Sequence, residues 1–354
     1  MTLVSSQAMR DLGAVTTSQL GISRVAITIA LLTALGASIA QPMAVLAGPP
    51  PIDEGTDGRF TVLLLASDSR GTGISRTDSM MIASIDENKV IATASIPRDT
   101  ARIPLPASMG GGMYKGKING MVKSFIKSGL GRDAALNKFE LVIEDLLKIE
   151  IDFRVVLWFG GMTTLTAEID PISVTIPNAF KDSKIIDDHD PSQPKGSYWP
   201  AATNYLLWAT NESANGRTYC NGKWRFDPLP IEPENECHRA LPFNRSRKGP
   251  GNNDWIREAR QQNFLFSAIQ ATADTELASL VNVATGQGNG KWLTNIPINI
   301  DTANYLYNRF SGATFPSANK VVFKPKTYAT HIINTSAYQL KLDQVRLWTA
   351  AHLT

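Results

Sequence analysis

The chain has 354 residues, enough for one large domain or two, and a small formal net charge of +3. Hydrophobic residues make up 43% of the sequence and charged residues 19%, which provides for a sizeable core and argues against bulk disorder. The sequence has no run of Lys and Arg, and its four His do not have zinc-ligand spacing, so neither a nucleic-acid-binding protein nor a zinc protein is indicated.

The first element is an uncharged apolar stretch near the N-terminus. Residues 25–47 are mostly apolar and carry no charge, and about 20 such residues are enough to cross a bilayer. Arg24 precedes the stretch and Asp53 follows it. The positive-inside rule therefore places residues 1–24 in the cytoplasm and the rest of the chain outside the membrane. We expect a single transmembrane anchor.

A cleaved signal peptide is the alternative for this stretch. Ala40 and Ala47 each end a passable cleavage site. Residues 48–58 are rich in Pro, Gly and acidic residues and read as a short linker. We expect one domain outside the membrane, over residues 59–354.

The next elements are three short apolar runs. Residues 62–66, 80–85 and 90–96 are rich in Val, Ile, Leu, Met or Ala and predict strands of a buried sheet. The polar tetrapeptide at residues 86–89 predicts a hairpin between the last two strands. The loop at residues 67–78 also returns the chain antiparallel. The three strands should form an up-down-up meander.

Charged residues gather at one edge of this meander. Asp68 follows the first strand, Arg76 and Asp78 precede the second, and Arg98 and Asp99 follow the third. Two close carboxylates repel each other unless a cation joins them, and Mg²⁺ takes one or two carboxylates plus substrate phosphates. Guanidinium groups fit phosphate oxygens. The edge predicts a pyrophosphate–metal site with Mg²⁺, although any one of these residues taken alone could be a solvated loop residue.

The middle of the chain alternates between helical and extended patterns. Helices are predicted at residues 118–126, 132–149 and 162–169, and strands at residues 153–159 and 172–176. Such alternation indicates a layered α/β domain. Lys117 opens the first of these helices, where it could contact a phosphate or could simply be solvated.

An irregular segment at residues 181–236 follows, with many Pro, Asn, Gly and acidic residues. Cys220 and Cys237 lie 17 positions apart across its second half. Because cysteines outside the membrane usually pair, we expect a Cys220–Cys237 disulfide. Two free thiols, as in a cytosolic protein, are the alternative.

A second charged signature is RALPFNRSRKGPGNNDWIREARQQ at residues 239–262. Arg257 and Gln261 lie four residues apart, so on a helix they share one face. Arg245 and Arg247 are two apart, so in an extended segment they would point the same way. The arginines of this signature outnumber its acidic residues, so they would repel one another unless a bound anion neutralised them.

The same signature should start a helix that is capped by Asn253 or Asp254. Ile256 is among the apolar residues expected to pack on the sheet. Beyond it, residues 292–310 predict a helix with a leading loop, and residues 320–354 predict short extended runs and a terminal helix. We expect these last pieces to be peripheral parts of the same domain.

The motifs LLLASDSR, RTDSMM and SIPRDT lie within about forty residues of one another. Together with the signature at residues 239–262, they resemble the LytR–CpsA–Psr family of bacterial cell-wall phosphotransferases. The resemblance covers residues 59–285 well and the tail weakly. Gly120 follows Lys-Ile-Asn where the family usually has Ala or Ser, Ile256 stands where it often has Gly, and residues 181–236 are an insertion.

The resemblance implies a mixed central β-sheet flanked by helices. It also implies transfer of a glycan phosphate from a polyprenyl-pyrophosphate-linked glycan to a peptidoglycan hydroxyl, outside the bacterial cytoplasmic membrane, whereas no motif in the chain indicates a nucleic-acid partner. The candidate site residues are Asp68 and Asp78 for Mg²⁺, Arg98, Asp99, Arg245 and Arg247 for catalysis, and Arg70, Arg76, Lys117, Arg257 and Gln261 for pyrophosphate binding. Asp99 is the candidate general base, or it only orients Arg98.

Two other functions fit the same residues. With water as the acceptor, the site would make a polyprenyl pyrophosphate phosphatase. Without turnover, the arginines would serve a regulatory protein that binds the lipid or the wall. The acidic pair argues against the second alternative, because binding alone needs arginines more than it needs Mg²⁺ ligands.

Overall fold

The structure is a computed structural model. It describes residues 52, 55–67, 73–74, 76–169, 171–182, 197–209, 239–249, 252–271, 292–297, 300–310 and 312–354. The predicted anchor at residues 25–47 lies outside these ranges, as do Asp68, Arg70, Cys220 and Cys237. Within the described ranges, none of the helices combines the length and the apolar character needed to cross a bilayer.

The strands are β1 Phe60–Ser67, β2 Thr77–Ile85, β3 Ile91–Ser95, β4 Ile103–Pro104, β5 Met113–Tyr114, β6 Phe153–Trp158, β7 Ile172–Ile176, β8 Phe180–Asp182, β9 Ser197–Trp199, β10 Ala202–Leu207, β11 Trp292–Thr294, β12 Lys320–Val322, β13 Ala329–His331 and β14 Tyr338–Leu340. The α-helices are α1 Met121–Lys127, α2 Arg132–Leu147, α3 Phe159–Glu168, α4 Ala240–Arg245, α5 Asp254–Ala271, α6 Ile300–Phe310 and α7 Leu342–His352. Short 3₁₀ helices occur at Ala107–Met109, Ile118–Gly120 and Ser317–Asn319.

A mixed six-stranded sheet forms the centre, in the order β11-β6-β1-β2-β3-β12. The pairs β1–β2 and β2–β3 are antiparallel, which confirms the predicted meander. β6 lies parallel to β1 on its other side, because α2 carries the chain back across one face of the sheet. The prediction of an α/β fold with a mixed central sheet flanked by helices is confirmed.

Both faces of this sheet are buried, which explains the continuous apolar runs of its central strands. Successive β1 residues point to opposite faces, so Val62 enters one core and Leu63 the other. Residues of α1, α2 and α7 pack in the core that contains Leu63. Residues of α4, α5, α6 and the β7–β10 hairpin pack in the core that contains Val62.

The C-terminal tail adds the edge strand β12 to the central sheet at an extended run predicted there, and the predicted terminal helix is α7. β12 lies parallel to β3, with Val321 paired to Ala94. Trp292, predicted in a loop or helix, begins β11, which adds antiparallel to β6. The three-residue strand β11 carries too little period-2 pattern to be recognised from the sequence, and its partner lies far away along the chain. Ile256 is 41% exposed, so its predicted packing on the sheet is also wrong.

Candidate active site

The site begins where the three strands of the meander meet. Asp78 is the second residue of β2, and Arg98 follows the end of β3 by three residues. Arg98 Nη1 donates a hydrogen bond of 2.8 Å to Asp78 Oδ1. The antiparallel pairing of β2 with β3 brings these two residues together across 20 positions of sequence.

Helix α5 brings a second arginine to this edge. Its first turn is capped by Asn253, whose Oδ1 accepts a hydrogen bond of 2.9 Å from the Ile256 amide, as predicted. Arg257 is only 3% exposed, and its Nη2 donates to the backbone carbonyl of Asp78 at 2.9 Å. The helix thus holds a buried guanidinium directly against β2.

Asp254 links the arginines from both signatures. Its Oδ1 lies 3.2 Å from Arg257 Nη1, 3.6 Å from Arg247 Nη1 and 3.8 Å from Arg98 Nε. We call Arg98, Arg247 and Arg257 the arginine cluster. From the sequence, Asp254 was predicted only as a candidate helix cap. Its position three residues before Arg257, on the same helical face, could have predicted the ion pair between them.

The loop that carries Arg247 is fixed by a buried carboxylate. Asp182 Oδ2 accepts hydrogen bonds from Ser246 Oγ and from the amides of Arg247 and Lys248, at 3.1, 2.8 and 2.9 Å. Asp182 is 2% exposed and ends β8. A carboxylate that accepts several bonds in a buried place is an effective anchor for the loop.

Arg260 fixes the same loop from the side of α5. Its guanidinium donates to the carbonyl oxygens of Phe243 and Ser246 and to Asn252 Oδ1, and it lies 4.2 Å from the Phe180 ring centroid. Burial lowers the pKa of this guanidinium. The sequence motif contained Arg260, but its role here is to position the arginine cluster.

Gln261 also faces the sheet edge. Its Nε2 donates to the Asn244 carbonyl at 2.9 Å, and its Oε1 accepts from Ser79 Oγ at 2.9 Å. The next residue, Gln262, donates to Ser95 Oγ and to the Val321 carbonyl, at 2.9 and 2.7 Å. These two amides join α5 to three strands of the sheet.

Lys117 and Asp99 form a neighbouring pair. Lys117 Nζ donates to Asp99 Oδ1 at 2.8 Å and to Ser336 Oγ at 2.9 Å. Among the described residues, Asp99 thus holds Lys117, and no hydrogen bond or ion pair supports the interpretation that it orients Arg98. Arg76 is exposed, two residues before Asp78.

Arg245 departs from its predicted setting. It is the last residue of α4 rather than part of an extended segment, and its guanidinium lies 4.2 Å from the Phe159 ring centroid. The extended geometry predicted for Arg245 and Arg247 is therefore wrong. Helix formation is favoured because Ala240 and Phe243 both pack into the core, and Asn244 Nδ2 donates to the Ala240 carbonyl.

Several buried atoms of the site lack hydrogen-bond partners within the described part of the chain. They are Arg98 Nε, Arg257 Nε, Asp254 Oδ1 and Glu258 Oε2. A buried donor or acceptor without a partner costs about 1–3 kcal/mol, so such atoms are rare in folded proteins. Their concentration around one cluster indicates a place built for a charged or polar ligand.

Glu258 is a second deeply buried acid of this region, besides Asp182. It is 2% exposed, and its Oε1 lies 3.6 Å from Arg257 Nη2. Burial raises the pKa of Glu258 to about 8, with Asp254 and Asp99 adding to the shift and Arg257 and Arg98 opposing it. At neutral pH the arginine cluster is thus opposed mainly by Asp78 and Asp254.

The folding stability should therefore fall as the pH rises. The pKa of Glu258 is raised from 4.5 in the unfolded chain to about 8 in the folded protein, so the folded state holds the proton more tightly. The contribution of the Glu258 proton to the free energy of unfolding is complete below pH 4.5 and is lost as the pH rises through 8.

Urea unfolding from pH 5 to pH 9 should show Glu258→Gln gaining stability relative to the wild type as the pH rises. Glu87→Gln, in the exposed β2–β3 turn, is the control, and parallel pH profiles for Glu258→Gln and wild type would contradict the assignment.

The described site contains one of the two predicted Mg²⁺ ligands. Asp78 is a hard oxygen ligand whose side chain is 30% exposed, and Asp68, the other predicted ligand, lies outside the described ranges. The described residues contain no group of three or more His, Cys, Asp or Glu side chains placed to hold a metal ion. Mg²⁺ does not need such a cage, because it usually takes one or two carboxylates and completes its shell with phosphates and water.

Known proteins share this fold. A curated relative, the "Polyisoprenyl-teichoic acid--peptidoglycan teichoic acid transferase TagV" of Bacillus subtilis (strain 168), is 25% identical over 240 residues, or 68% of this chain and 49% of TagV. The chain thus spans about half the length of this relative. The crystal structure of B. subtilis TagV has a TM-score of 0.55 at 23% identity, covering 84% of this chain and 98% of that one.

Two further solved structures are similar in fold. Protein gbs0355 from Streptococcus agalactiae has a TM-score of 0.55 at 16% identity, covering 82% of this chain and 88% of that one. TagT bound to LIIa-WTA has a TM-score of 0.50 at 16% identity, covering 86% and 96%. The LytR_cpsA_psr family model matches residues 51–349, which include most of the tail that the sequence resemblance covered only weakly. The chain belongs to the LytR–CpsA–Psr family.

Proposed function

We propose that this protein attaches a glycopolymer to the bacterial cell wall, by moving a glycan phosphate from a polyprenyl pyrophosphate carrier to a peptidoglycan hydroxyl. The observation that carries the proposal is the arginine cluster gathered around Asp254 beside Asp78. The name of TagV, which describes a teichoic acid transferase acting on peptidoglycan, supports the same class of activity.

The charges of the cluster suit a pyrophosphate. Three guanidinium groups face two carboxylates at neutral pH, since Glu258 is largely protonated there. A pyrophosphate brings the negative charge that this excess lacks, and guanidinium forks match its oxygens. The buried Nε atoms of Arg98 and Arg257 have no hydrogen-bond partner among the described residues. A neutral ligand would leave the cluster self-repelling.

The proposed reaction is a direct displacement at phosphorus. The acceptor hydroxyl oxygen forms a bond to the phosphorus next to the glycan, while the bond from that phosphorus to the bridging oxygen breaks. The bridging oxygen leaves with the electron pair as part of polyprenyl phosphate. The hydroxyl proton passes to a base, for which Asp99 is the candidate. The products are a glycan–peptidoglycan phosphodiester, polyprenyl phosphate and a proton.

The chain's own residues position and stabilise these groups. Arg98 and Arg257, fixed by their bonds to Asp78, would hold the non-bridging phosphate oxygens as charge builds on the leaving group. Arg247 would assist from its anchored loop, and Gln261 would bond a phosphate oxygen or the sugar. Asp68 and Asp78 would hold Mg²⁺, which supplies charge neutralisation at the phosphates when it is bound.

We also propose that the reaction takes place outside the cytoplasmic membrane. The apolar stretch at residues 25–47 would anchor the chain, with residues 1–24 in the cytoplasm. An anchored domain meets a lipid-linked donor at the membrane surface and the peptidoglycan beyond it. A Cys220–Cys237 disulfide would fit this compartment.

The acidic pair provides the direct test of this site. In the double variant Asp68→Ala, Asp78→Ala, we expect transfer to peptidoglycan to fall by about 100-fold or more, because the charge stabilisation at the phosphates is lost. Product formation should be measured by mass spectrometry at saturating Mg²⁺. Asp133→Ala, in the exposed first turn of α2, is the matched control and should retain wild-type activity. Full transfer by the double variant would contradict the proposal.

A further inference from the structure

A cavity lies next to the arginine cluster. We call it the rim pocket, and its volume is about 380 Å³. Three elements form its walls, namely the turn after β3, the first turns of α5 and the β13–β14 hairpin of the tail. Arg98 and Asp254 line this pocket and also take part in the arginine cluster, so the two sites share one wall.

The walls of the rim pocket are firmly joined. The Tyr338 amide donates to the Asp99 carbonyl at 3.1 Å, and the Ala101 amide donates to the Tyr338 carbonyl at 2.7 Å. The Trp255 ring of α5 packs edge-on against the Tyr338 ring, with centroids 5.0 Å apart. The tail hairpin is therefore held to both other walls, and the pocket is largely pre-formed.

The chemistry of the rim pocket differs from that of the arginine cluster. Three carboxyl groups, those of Asp99, Asp254 and Glu258, line it beside one guanidinium, that of Arg98. Because Glu258 is largely protonated at neutral pH, Asp99 is held by Lys117 and Asp254 belongs with the arginine cluster, the pocket offers no surplus of positive charge to a second phosphate. Glu258 is 2% exposed, and its Oε2 has no hydrogen-bond partner among the described residues, which indicates a polar ligand that forms a hydrogen bond with this carboxyl group.

The aromatic side chains of the pocket indicate that its ligand also has apolar faces. Trp255, Tyr338 and His331 form a continuous set of ring contacts, since the His331 and Tyr338 centroids lie 5.4 Å apart. Sugar rings carry apolar C–H faces between their hydroxyl groups. A site for an uncharged sugar therefore combines ring surfaces with a few polar groups that fix orientation. The rim pocket has both.

We propose that the rim pocket binds the uncharged sugar part of the peptidoglycan acceptor, a subsite that rests on the proposed transfer function. The anionic donor would occupy the arginine cluster, and the acceptor would occupy the rim pocket beside it. Asp99 lies on the acceptor side, where its carboxylate could meet the acceptor hydroxyl. The tail hairpin, which supplies His331, Thr335 and Tyr338, would then determine acceptor recognition.

The test fills the pocket without touching the arginine cluster. Thr335 is exposed and lines the pocket, so Thr335→Trp should block it. Thr330 is exposed on the same hairpin, next to His331 and outside the pocket lining, so Thr330→Trp is the matched control. The full chain in detergent should be titrated with two probes, a peptidoglycan glycan oligomer freed of its peptides and inorganic pyrophosphate with Mg²⁺.

We expect Thr335→Trp to weaken glycan binding at least tenfold and to leave pyrophosphate binding within twofold of wild type, while Thr330→Trp changes neither. Tyr338→Ala should also weaken glycan binding. Equal glycan affinity in Thr335→Trp and wild type, or no glycan binding by wild type, would overturn the proposal. Weakened pyrophosphate binding alone would also overturn it, since the pocket would then serve the donor. Wild-type glycan binding without any transfer would refute the proposed function and leave the subsite standing.

Discussion

Replacing Arg257 with lysine is expected to lower the transfer rate by about 10²- to 10³-fold, the usual cost of losing one donor that stabilises a transition state. The buried guanidinium bonds the Asp78 carbonyl and lies beside both Asp254 and Glu258. A lysine keeps the charge, but it cannot contact the strand, the acids and a phosphate at the same time. Initial rates with a synthetic lipid-linked donor would measure the loss.

A matched exchange separates catalysis from folding. Arg154 is another buried arginine, and it lies on β6 outside the arginine cluster. Its Nη1 lies 2.8 Å from Oε2 of Glu140 on α2. Arg154→Lys should perturb stability as much as or more than Arg257→Lys, with a much smaller effect on the rate per folded molecule. If Arg257→Lys transferred at the wild-type rate, the arginine cluster would not be the site of the reaction.

Replacing Arg260 with methionine is expected to destabilise the fold by about 3 kcal/mol. The change keeps much of the side-chain volume but leaves the carbonyls of Phe243 and Ser246 and the amide oxygen of Asn252 without their donor. Each buried acceptor left in this way costs about 1–3 kcal/mol. Urea unfolding followed by tryptophan fluorescence would measure the loss.

The same exchange at an exposed site is the control. Arg132→Met, at the start of α2, should change the free energy of unfolding by less than about 0.5 kcal/mol. We also expect Arg260→Met to lower the transfer rate of the protein that remains folded, because the loop carrying Arg247 is no longer fixed. Wild-type stability of Arg260→Met would show that the loop is held chiefly by Asp182.

Local pattern was enough to predict the meander and its edge. The apolar runs around Leu63, Ile82 and Ala94 lie in the predicted strands, and their antiparallel order alone brings Asp78 close to Arg98. Helix α2 was equally clear, because seven of its apolar positions follow the helical period and are all buried. Long elements with a strong period are the ones that single sequences reveal.

The parts that were missed depend on contacts between distant segments. Trp292 lies in a three-residue strand that pairs with the edge of β6, and for the predicted strand at Val321 the local sequence did not show that its partner is β3. Asp254 looked like a cap because nothing local shows that Arg98 and Arg247 approach it from elsewhere. The rim pocket could not be foreseen either, since Tyr338 reaches Asp99 across more than two hundred residues.

The central claim is that the arginine cluster transfers a glycan phosphate to peptidoglycan. The most direct measurement incubates the full chain with Mg²⁺ and a polyprenyl-pyrophosphate glycan, with and without a peptidoglycan oligomer, and analyses the products by mass spectrometry. We predict a phosphodiester-linked glycan–peptidoglycan conjugate that forms only when both substrates are present. Release of glycan phosphate at the same rate with and without peptidoglycan would contradict the claim and indicate a hydrolase, and bound but unchanged lipid would indicate a binding protein.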